Sequence, residues 1–165
     1  MTEKTDLVLE RMLDAPIDLV WEAYTNPEHI KRWFAPRPYR VTEAELDLRP
    51  GGIFRFRMEG PDNFVEDGAS CVLEVVPQAK LTWTSALGPG FRPNDFGGKE
   101  GCEAFPFTAV VTFADAGSGK TAYRVVALHR NEADRETHEN MGFQDGWGTV
   151  ASQLEEIARS LGVNA

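Results

Sequence analysis

The stretch Asn140-Met141-Gly142-Phe143-Gln144-Asp145-Gly146-Trp147 belongs to a segment, residues 131–161, that contains no proline. The segment is rich in Glu, Ala, Gln, Leu and Arg, which lose little conformational freedom in a helix. Helical spacing from Trp147 places apolar side chains in one stripe, formed by Phe143, Val150, Ala151, Leu154, Ala158 and Leu161. The pattern therefore predicts a long amphipathic helix near the C-terminus.

Three glycines interrupt this helical pattern, at positions 142, 146 and 148. Inside a helix each glycine costs about 1 kcal/mol relative to alanine, so the group requires an explanation. One interpretation is a local break, or close packing of the helix against a sheet. The other is that the glycines leave room beside Phe143 and Trp147 for a second molecule.

Composition indicates one soluble globular domain that spans residues 1–165. The chain has 165 residues, of which 42% are hydrophobic and 26% are charged. Its net charge of -9 argues against nucleic-acid binding and against binding to an anionic membrane surface, since both favour clustered Lys and Arg. No signal-peptide-like run and no apolar span of about 18 residues is present, so we expect a cytoplasmic protein.

The rest of the chain alternates between strand and turn signals after two short helices. Leu7–Leu13 predicts a strand, Pro16 lies in the first turn of one helix, and Asn26-Pro27 begins another that reaches Phe34. Further strands are predicted at Tyr39–Leu48, Ile53–Met58, Gly68–Val76, Lys80–Leu87, Phe107–Phe113 and Thr121–His129. This order is typical of an α+β fold in which the C-terminal helix covers one face of an antiparallel sheet. The loop insertion at about 88–104 is predicted to be a mobile cover.

Several motifs occur together and in order along the chain: Asp14–Pro16, Val20–Ile30, Trp33-Phe34, Arg49–Gly52, Leu73–Pro77, Met141–Phe143 and Gly146-Trp147. In these motifs the chain resembles the bacterial relatives of the activator of the ninety-kilodalton heat-shock chaperone's ATPase, within the START-like superfamily. The resemblance covers about residues 7–161. It implies a helix-grip fold, in which a curved antiparallel sheet of about six or seven strands wraps around the C-terminal helix and encloses an apolar cavity. We expect no second domain of the kind that a full co-chaperone carries, so the sequence does not favour a chaperone link.

In such a fold the inward faces of the sheet and helix supply the candidate ligand-binding residues. The apolar ones are Trp33, Phe34, Phe54, Phe56, Met58, Trp83, Phe107, Tyr123, Phe143 and Trp147. The polar ones are His129, at the end of the last strand, and Gln144, beside the helical stripe. The alternative is that these aromatic residues only form core, which such patterns more often do.

Residues typical of catalysis or metal binding are few. Cys71 and Cys102 are too few and too far apart for a zinc site or a disulfide framework, so we expect both to be reduced and Cys71 to be buried. The three histidines are scattered, so no metal or other cofactor is predicted. His129 and His138 are weak catalytic candidates, and His138 faces away from the apolar stripe unless Gly142 breaks the helix.

Three functions remain open. The first is binding of a small, largely apolar molecule without transforming it. The second is an enzyme of the cyclase or hydrolase type, in which His129 or His138 acts with a nearby acid as general acid–base. The third is a protein-interaction module, either homodimeric or linked to a chaperone, which would expose an apolar patch.

Overall fold

The computed structural model describes residues 3–97 and 104–163. Its helices are α1 (Ile17–Thr25), α2 (Pro27–Trp33), α3 (Glu132–Asn140) and α4 (Phe143–Val163). Its strands are β1 (Asp6–Leu13), β2 (Arg40–Leu46), β3 (Ile53–Gly60), β4 (Phe64–Val76), β5 (Lys80–Thr84), β6 (Leu87–Gly88), β7 (Arg92–Pro93), β8 (Phe107–Gly117) and β9 (Lys120–His129). These elements confirm the predicted α+β class.

Seven of the strands form one antiparallel sheet in the order β1-β9-β8-β5-β4-β3-β2. Helices α1, α2 and α4 lie on one face of this sheet, and α4 is its main cover. This is the helix-grip arrangement, with two short helices after the first strand and the long helix at the C-terminal end.

Strand β3 shows how residue alternation separates the two faces of the sheet. Phe54 and Phe56 face the helices, where Phe54 is fully buried. Arg55 points to the opposite face, where its guanidinium lies 2.9 Å from Glu43 and 2.7 Å from Asp67. The sheet therefore buries one apolar face and exposes one charged face.

The two short helices begin close to the predicted positions. The Asn26 side chain accepts a hydrogen bond from the backbone N–H of Glu28 at 3.0 Å, which confirms its predicted capping role. Helix α1 differs slightly, because Pro16 is its N-cap residue and the first helical residue is Ile17. The Trp33 indole donates to the Ala23 carbonyl at 2.8 Å, so it fixes α2 against α1.

The predicted C-terminal helix is two helices, because Gly142 has φ +89° and ends the helical path between α3 and α4. This left-handed conformation is one that glycine adopts without steric cost. The stripe residues Phe143, Val150, Ala151, Leu154 and Ala158 are buried as expected, while Trp147 and Leu161 are half-buried.

The segment predicted as a loop, 88–104, is partly regular structure. The predicted strand Lys80–Leu87 ends at Thr84, and β6 and β7 then form a two-stranded ribbon around a 3-10 turn at Pro89–Phe91. The Asn94 amide donates to the carbonyls of Ala69 and Ser85, at 2.9 and 3.0 Å. Residues 87–94 are thus held against the sheet, whereas 98–103 of the predicted cover, with Cys102, lie outside the described residues.

Two further expectations can be compared with the structure. Cys71 is free and buried, as predicted. Among the helices that the structure describes, none is long and apolar enough to cross a membrane.

Gln153 connects α4 to the end of α2 through three hydrogen bonds. Its amide nitrogen donates to the carbonyls of Trp33 and Ala35, at 2.9 and 2.7 Å, and its carbonyl oxygen accepts from the Arg37 N–H at 3.3 Å. Gln153 is buried, as are its bonds to the carbonyls of Trp33 and Ala35. These bonds satisfy backbone carbonyls that a helix end leaves open.

Replacing Gln153 with Glu tests this link. Glutamate has nearly the same shape but cannot donate to the two carbonyls, so we expect the free energy of unfolding to fall by about 2 to 4 kcal/mol. Urea denaturation followed by circular dichroism measures the loss. Thr149→Ala, at an exposed position of the same helix, is the control, and equal stability of the two variants would contradict the assignment.

Candidate functional site

A cavity of about 420 Å³ lies between the concave face of the sheet and α4. Its wall combines strands β3, β4, β5, β8 and β9 with α2, the start of α4 and Tyr24 of α1. The lining is mainly aromatic, and the rings contact one another edge to face or tilted. Phe34 and Phe56 have ring centroids 4.7 Å apart, and Phe143 and Trp147 have centroids 5.3 Å apart.

Most of the predicted binding residues lie on this wall: Trp33, Phe34, Phe56, Met58, Trp83, Phe107, Tyr123, Phe143 and Trp147. Phe54 does not reach the wall. It is fully buried behind it, where its ring packs 5.0 Å from that of Trp83 and 5.4 Å from that of Phe34. Phe54 therefore supports the wall from behind.

The two predicted polar residues also lie elsewhere. Gln144 is exposed on α4, and its amide donates to the Val8 carbonyl of β1 at 2.9 Å. His129 is buried at the end of β9, but its ring lies behind that of His138, which lines the cavity. The structure therefore does not place either of these two side chains on the cavity wall.

Small residues create the open space. Gly68 of β4 pairs with Phe56 of β3, and Ser70 pairs with Phe54. Each large ring therefore has a small residue beside it on the neighbouring strand. On α4, Gly146 lines the cavity and a Cβ built there would meet no atom within 4 Å. A side chain at 146 would therefore extend into the cavity.

The three glycines at positions 142, 146 and 148 have different roles. Gly142 provides the break, and Gly146 provides space beside Trp147. At Gly148 a Cβ would lie 2.9 Å from the Arg11 guanidinium, so this glycine permits close packing of α4 on β1. The break and the close packing are therefore confirmed, at positions 142 and 148, while room for a second molecule at position 146 stays a prediction.

The break at Gly142 also determines the position of His138. Because α3 ends before α4 begins, His138 turns inward and is only 2% exposed. Its Nδ1 lies 2.8 Å from Nε2 of His129, and Nδ1 of His129 lies 2.8 Å from the carbonyl oxygen of Thr5. Burial, followed by the neighbouring His129, lowers the pKa of His138 to about 4.

Aromatic rings surround this histidine pair. The His138 ring centroid lies 4.9 Å from that of Phe107, 5.1 Å from that of Phe143 and 5.2 Å from that of Phe105. Two ion pairs lie on or beside α3: Arg135 with Glu139 at 2.9 Å, and Asp134 with Arg130, which follows β9. In the described residues no carboxylate hydrogen-bonds to either imidazole, so the nearby acid expected for a general acid–base pair is not among their contacts.

A second polar group lies at Tyr24 and Trp83, which are 1% and 2% exposed. The Tyr24 hydroxyl is beside the Trp83 indole and the Tyr123 hydroxyl. The Tyr24 O–H has no acceptor in residues 3–97 and 104–163, while its oxygen faces the Trp83 N–H and the Tyr123 hydroxyl. Burial raises the pKa of Tyr24 and Tyr123 above the ordinary tyrosine range, so both hydroxyls keep their protons.

The open side of the cavity, here called the mouth, consists of Tyr39, Phe64, Asp95 and Met141, all of which are exposed. Tyr39 and Phe64 contact each other with ring centroids 5.1 Å apart. The charged residues on the described wall are Glu66 and Asp95, and no Lys or Arg of the described chain lines the cavity. The charged groups of the described wall are thus both acidic.

Sequence reasoning missed several wall residues, among them Tyr24, Gly68, Ser70 and Asn94. Tyr24 lies on the buried face of α1 with Val20, so helical spacing alone does not indicate that its polar phenol end reaches the cavity. Gly68-Ala69-Ser70 carried a usable signal, since a run of small residues opposite an aromatic strand indicates open space. Around the histidines, the described residues contain no cluster of His, Cys, Asp or Glu suited to a metal ion.

Comparison with known proteins places the chain among related folds. The family model for activator of Hsp90 ATPase homolog 1-like proteins matches residues 14–159. A crystal structure from Nitrosomonas europaea is 37% identical, with a TM-score of 0.90 and 99% of each chain covered. A protein of this family from Aeromonas hydrophila is 19% identical, with a TM-score of 0.66 over 95% of this chain and 94% of that one. None of the proteins with curated functions matches the chain.

The buried His138 predicts a specific pH dependence of stability. Its pKa is lower in the folded chain than the ordinary value of 6.5, so between pH 6.5 and about 4 the unfolded chain binds a proton that the folded chain does not. This contribution to stability is full above pH 6.5 and is lost as pH falls, by about 3 kcal/mol at most. We expect His138→Phe to lose less stability than the wild type between pH 7 and pH 4.5 in urea denaturation.

The carboxylates and His129 are common to the two proteins, so the difference between their pH profiles reports on position 138. Parallel profiles would show that His138 is not held neutral by burial.

Proposed function

This chain belongs to the activator of Hsp90 ATPase homolog 1-like family, and on that premise we propose that it binds a small, neutral, mostly apolar molecule in the cavity between the sheet and α4. The observation that carries this proposal is the cavity of about 420 Å³ with its aromatic wall. Ligand sites in proteins typically have volumes of about 300 to 1,000 Å³, apolar walls and a few polar groups. The cavity has each of these properties.

The charges on the wall support a neutral ligand. Glu66 and Asp95 are acidic, and no described Lys or Arg lines the cavity that could pair with a carboxylate or phosphate. Moving an anion from water into such a site costs several kcal/mol without a compensating partner. Fatty acids and phosphorylated molecules therefore fit this chemistry poorly.

The Tyr24 hydroxyl supports one polar group on the ligand. The Trp83 N–H and the Tyr123 hydroxyl lie against its oxygen, and its own O–H has no acceptor among the described residues, so an acceptor placed beside it would satisfy a buried donor. A carbonyl or ether oxygen of the bound molecule would serve as this acceptor. The ligand would then have an apolar body and a polar end directed towards α1.

An acid–base enzyme is the second candidate, since His138 lines the cavity and is in contact with His129. Two features favour ligand binding over general acid–base catalysis. The pKa of about 4 makes His138 a weak base, and neither imidazole hydrogen-bonds to a carboxylate within the described residues.

Filling the cavity from Gly146 tests the binding proposal. Gly146→Leu places a side chain in the open space, where a Cβ meets no atom within 4 Å, so the fold should tolerate it. We expect it to abolish binding of N-phenyl-1-naphthylamine, a neutral apolar dye that fluoresces when it leaves water. Fluorescence titration of the dye measures the affinity.

Thr149→Leu is the matched control, because it adds the same side chain to an exposed position of α4. It should bind the dye as the wild type does. Equal binding to both variants, or no binding to the wild type, would contradict the use of this cavity.

The charge preference has its own test with 1-anilinonaphthalene-8-sulfonate, which has the same rings as the neutral dye and adds a sulfonate. We expect at least about tenfold weaker binding of this anion, because no described cation on the wall can pair with it. Competition between the two dyes in one titration gives the ratio of their dissociation constants directly. Tighter binding of the sulfonate would show that the ligand is an anion.

A further inference from the structure

We propose that His138 accepts a hydrogen bond from a hydroxyl group of the bound molecule, and that His129 and the Thr5 carbonyl hold His138 in the tautomer that can do so. This inference rests on the proposed binding function and specifies a second polar group of the ligand. It follows from two contacts in a row, Thr5 to His129 and His129 to His138, and from the position of His138 on the cavity wall.

The first contact determines which ring nitrogen of His129 carries the proton. A backbone carbonyl oxygen can only accept hydrogen bonds, so Nδ1 of His129, 2.8 Å from the Thr5 oxygen, carries a hydrogen. A neutral imidazole has one N–H, and Nε2 of a neutral His129 is therefore an acceptor.

The second contact transfers this assignment to His138. Nε2 of His129 lies 2.8 Å from Nδ1 of His138, so when both rings are neutral the Nδ1 of His138 is the donor. The remaining nitrogen of His138, Nε2, then carries a lone pair. No group in residues 3–97 or 104–163 donates a hydrogen bond to this nitrogen.

The third step concerns where this lone pair lies. His138 is 2% exposed and lines the cavity, while its Nδ1 edge is turned to His129. The rings of Phe105, Phe107 and Phe143 pack around it and offer no conventional donor. An acceptor on the cavity wall in such surroundings favours a ligand that brings its own donor.

The nature of this donor follows from the surrounding charge. The acidic residues Glu66 and Asp95 on the wall disfavour a carboxylic acid, which would enter as an anion. A phenol or alcohol hydroxyl is neutral and donates one hydrogen bond. The cavity therefore fits an apolar molecule with a hydroxyl directed to His138 and a separate oxygen acceptor that reaches the Tyr24 hydroxyl.

The tautomer is tested first, without any ligand. In protein labelled with ¹⁵N-histidine at pH 8, long-range ¹H–¹⁵N correlation spectra distinguish protonated from unprotonated ring nitrogens. The chain has three histidines, and His29, beside Glu22 in α1, supplies the reference signal. We expect Nδ1–H and a bare Nε2 at both His138 and His129. A proton on Nε2 of His138 would overturn the inference.

The hydroxyl preference is tested with 2-naphthol and 2-methoxynaphthalene, which share one ring system and differ in the donor. At pH 8 we expect the wild type to bind 2-naphthol about tenfold more tightly. His138→Phe should remove this preference and keep the affinity for 2-methoxynaphthalene, because a phenyl ring fits among the same aromatic neighbours. His138→Gln, which retains an acceptor oxygen, should restore part of the preference.

His129 is a positioning residue, and its variant separates that role from a structural one. His129→Phe removes the acceptor of the His138 Nδ1–H, so both tautomers of His138 should appear in the ¹⁵N spectrum and the preference for 2-naphthol should fall. Binding of 2-methoxynaphthalene should not change.

Two failures are distinguishable. If the wild type binds both naphthalenes equally, the inference about His138 is wrong and the binding function stands. If it binds neither compound and also fails to bind N-phenyl-1-naphthylamine, the proposed function is wrong, and the inference about a ligand hydroxyl is wrong with it.

Discussion

One geometric constraint underlies the whole molecule: a single helix is narrower than the sheet that it must cover. Seven strands spaced about 4.8 Å apart form a sheet roughly 30 Å wide, whereas a helix with its side chains measures about 10 to 12 Å across. Helices α1 and α2 cover part of the remaining width. Large aromatic side chains fill much of the rest, and the small residues of β4 and α4 prevent them from filling all of it. The cavity follows from this mismatch.

The glycines of the C-terminal segment convert this scaffold into a site with polar groups. The left-handed backbone at Gly142 separates α3 from α4, and the separation allows His138 to turn towards the sheet. A continuous helix would have directed the same imidazole to the opposite side of the apolar stripe. One ring nitrogen of the buried His138 hydrogen-bonds to His129 at the end of β9, and His129 hydrogen-bonds to the Thr5 carbonyl just before β1. These two hydrogen bonds fix the orientation of the His138 imidazole in the cavity wall.

Local sequence patterns were sufficient for the order and faces of the elements. Asn26-Pro27 marks a helix start because the Asn26 side chain caps the adjacent backbone and the proline ring fixes φ at position 27. Phe54 and Phe56 share a face of the sheet because successive strand residues alternate between the two faces. For the same reason most of the cavity wall, including Trp83, Phe107 and Trp147, could be predicted. The ribbon of β6 and β7 could not, since its position depends on Asn94 reaching Ala69, which is distant in sequence.

The sequence by itself therefore determined the fold class, the two faces of the sheet and the aromatic character of the site, because each depends on residue periods of two or 3.6. Only the tertiary structure decided which polar groups meet inside. Gln144 and His129 sit at plausible positions of their own elements, yet Gln144 turns to Val8 and His129 lies behind His138. The pairing of two histidines joins the end of a strand to a separate helix, and the open volume is the space that all of these elements together fail to fill. Both depend on three-dimensional packing, which no local period encodes.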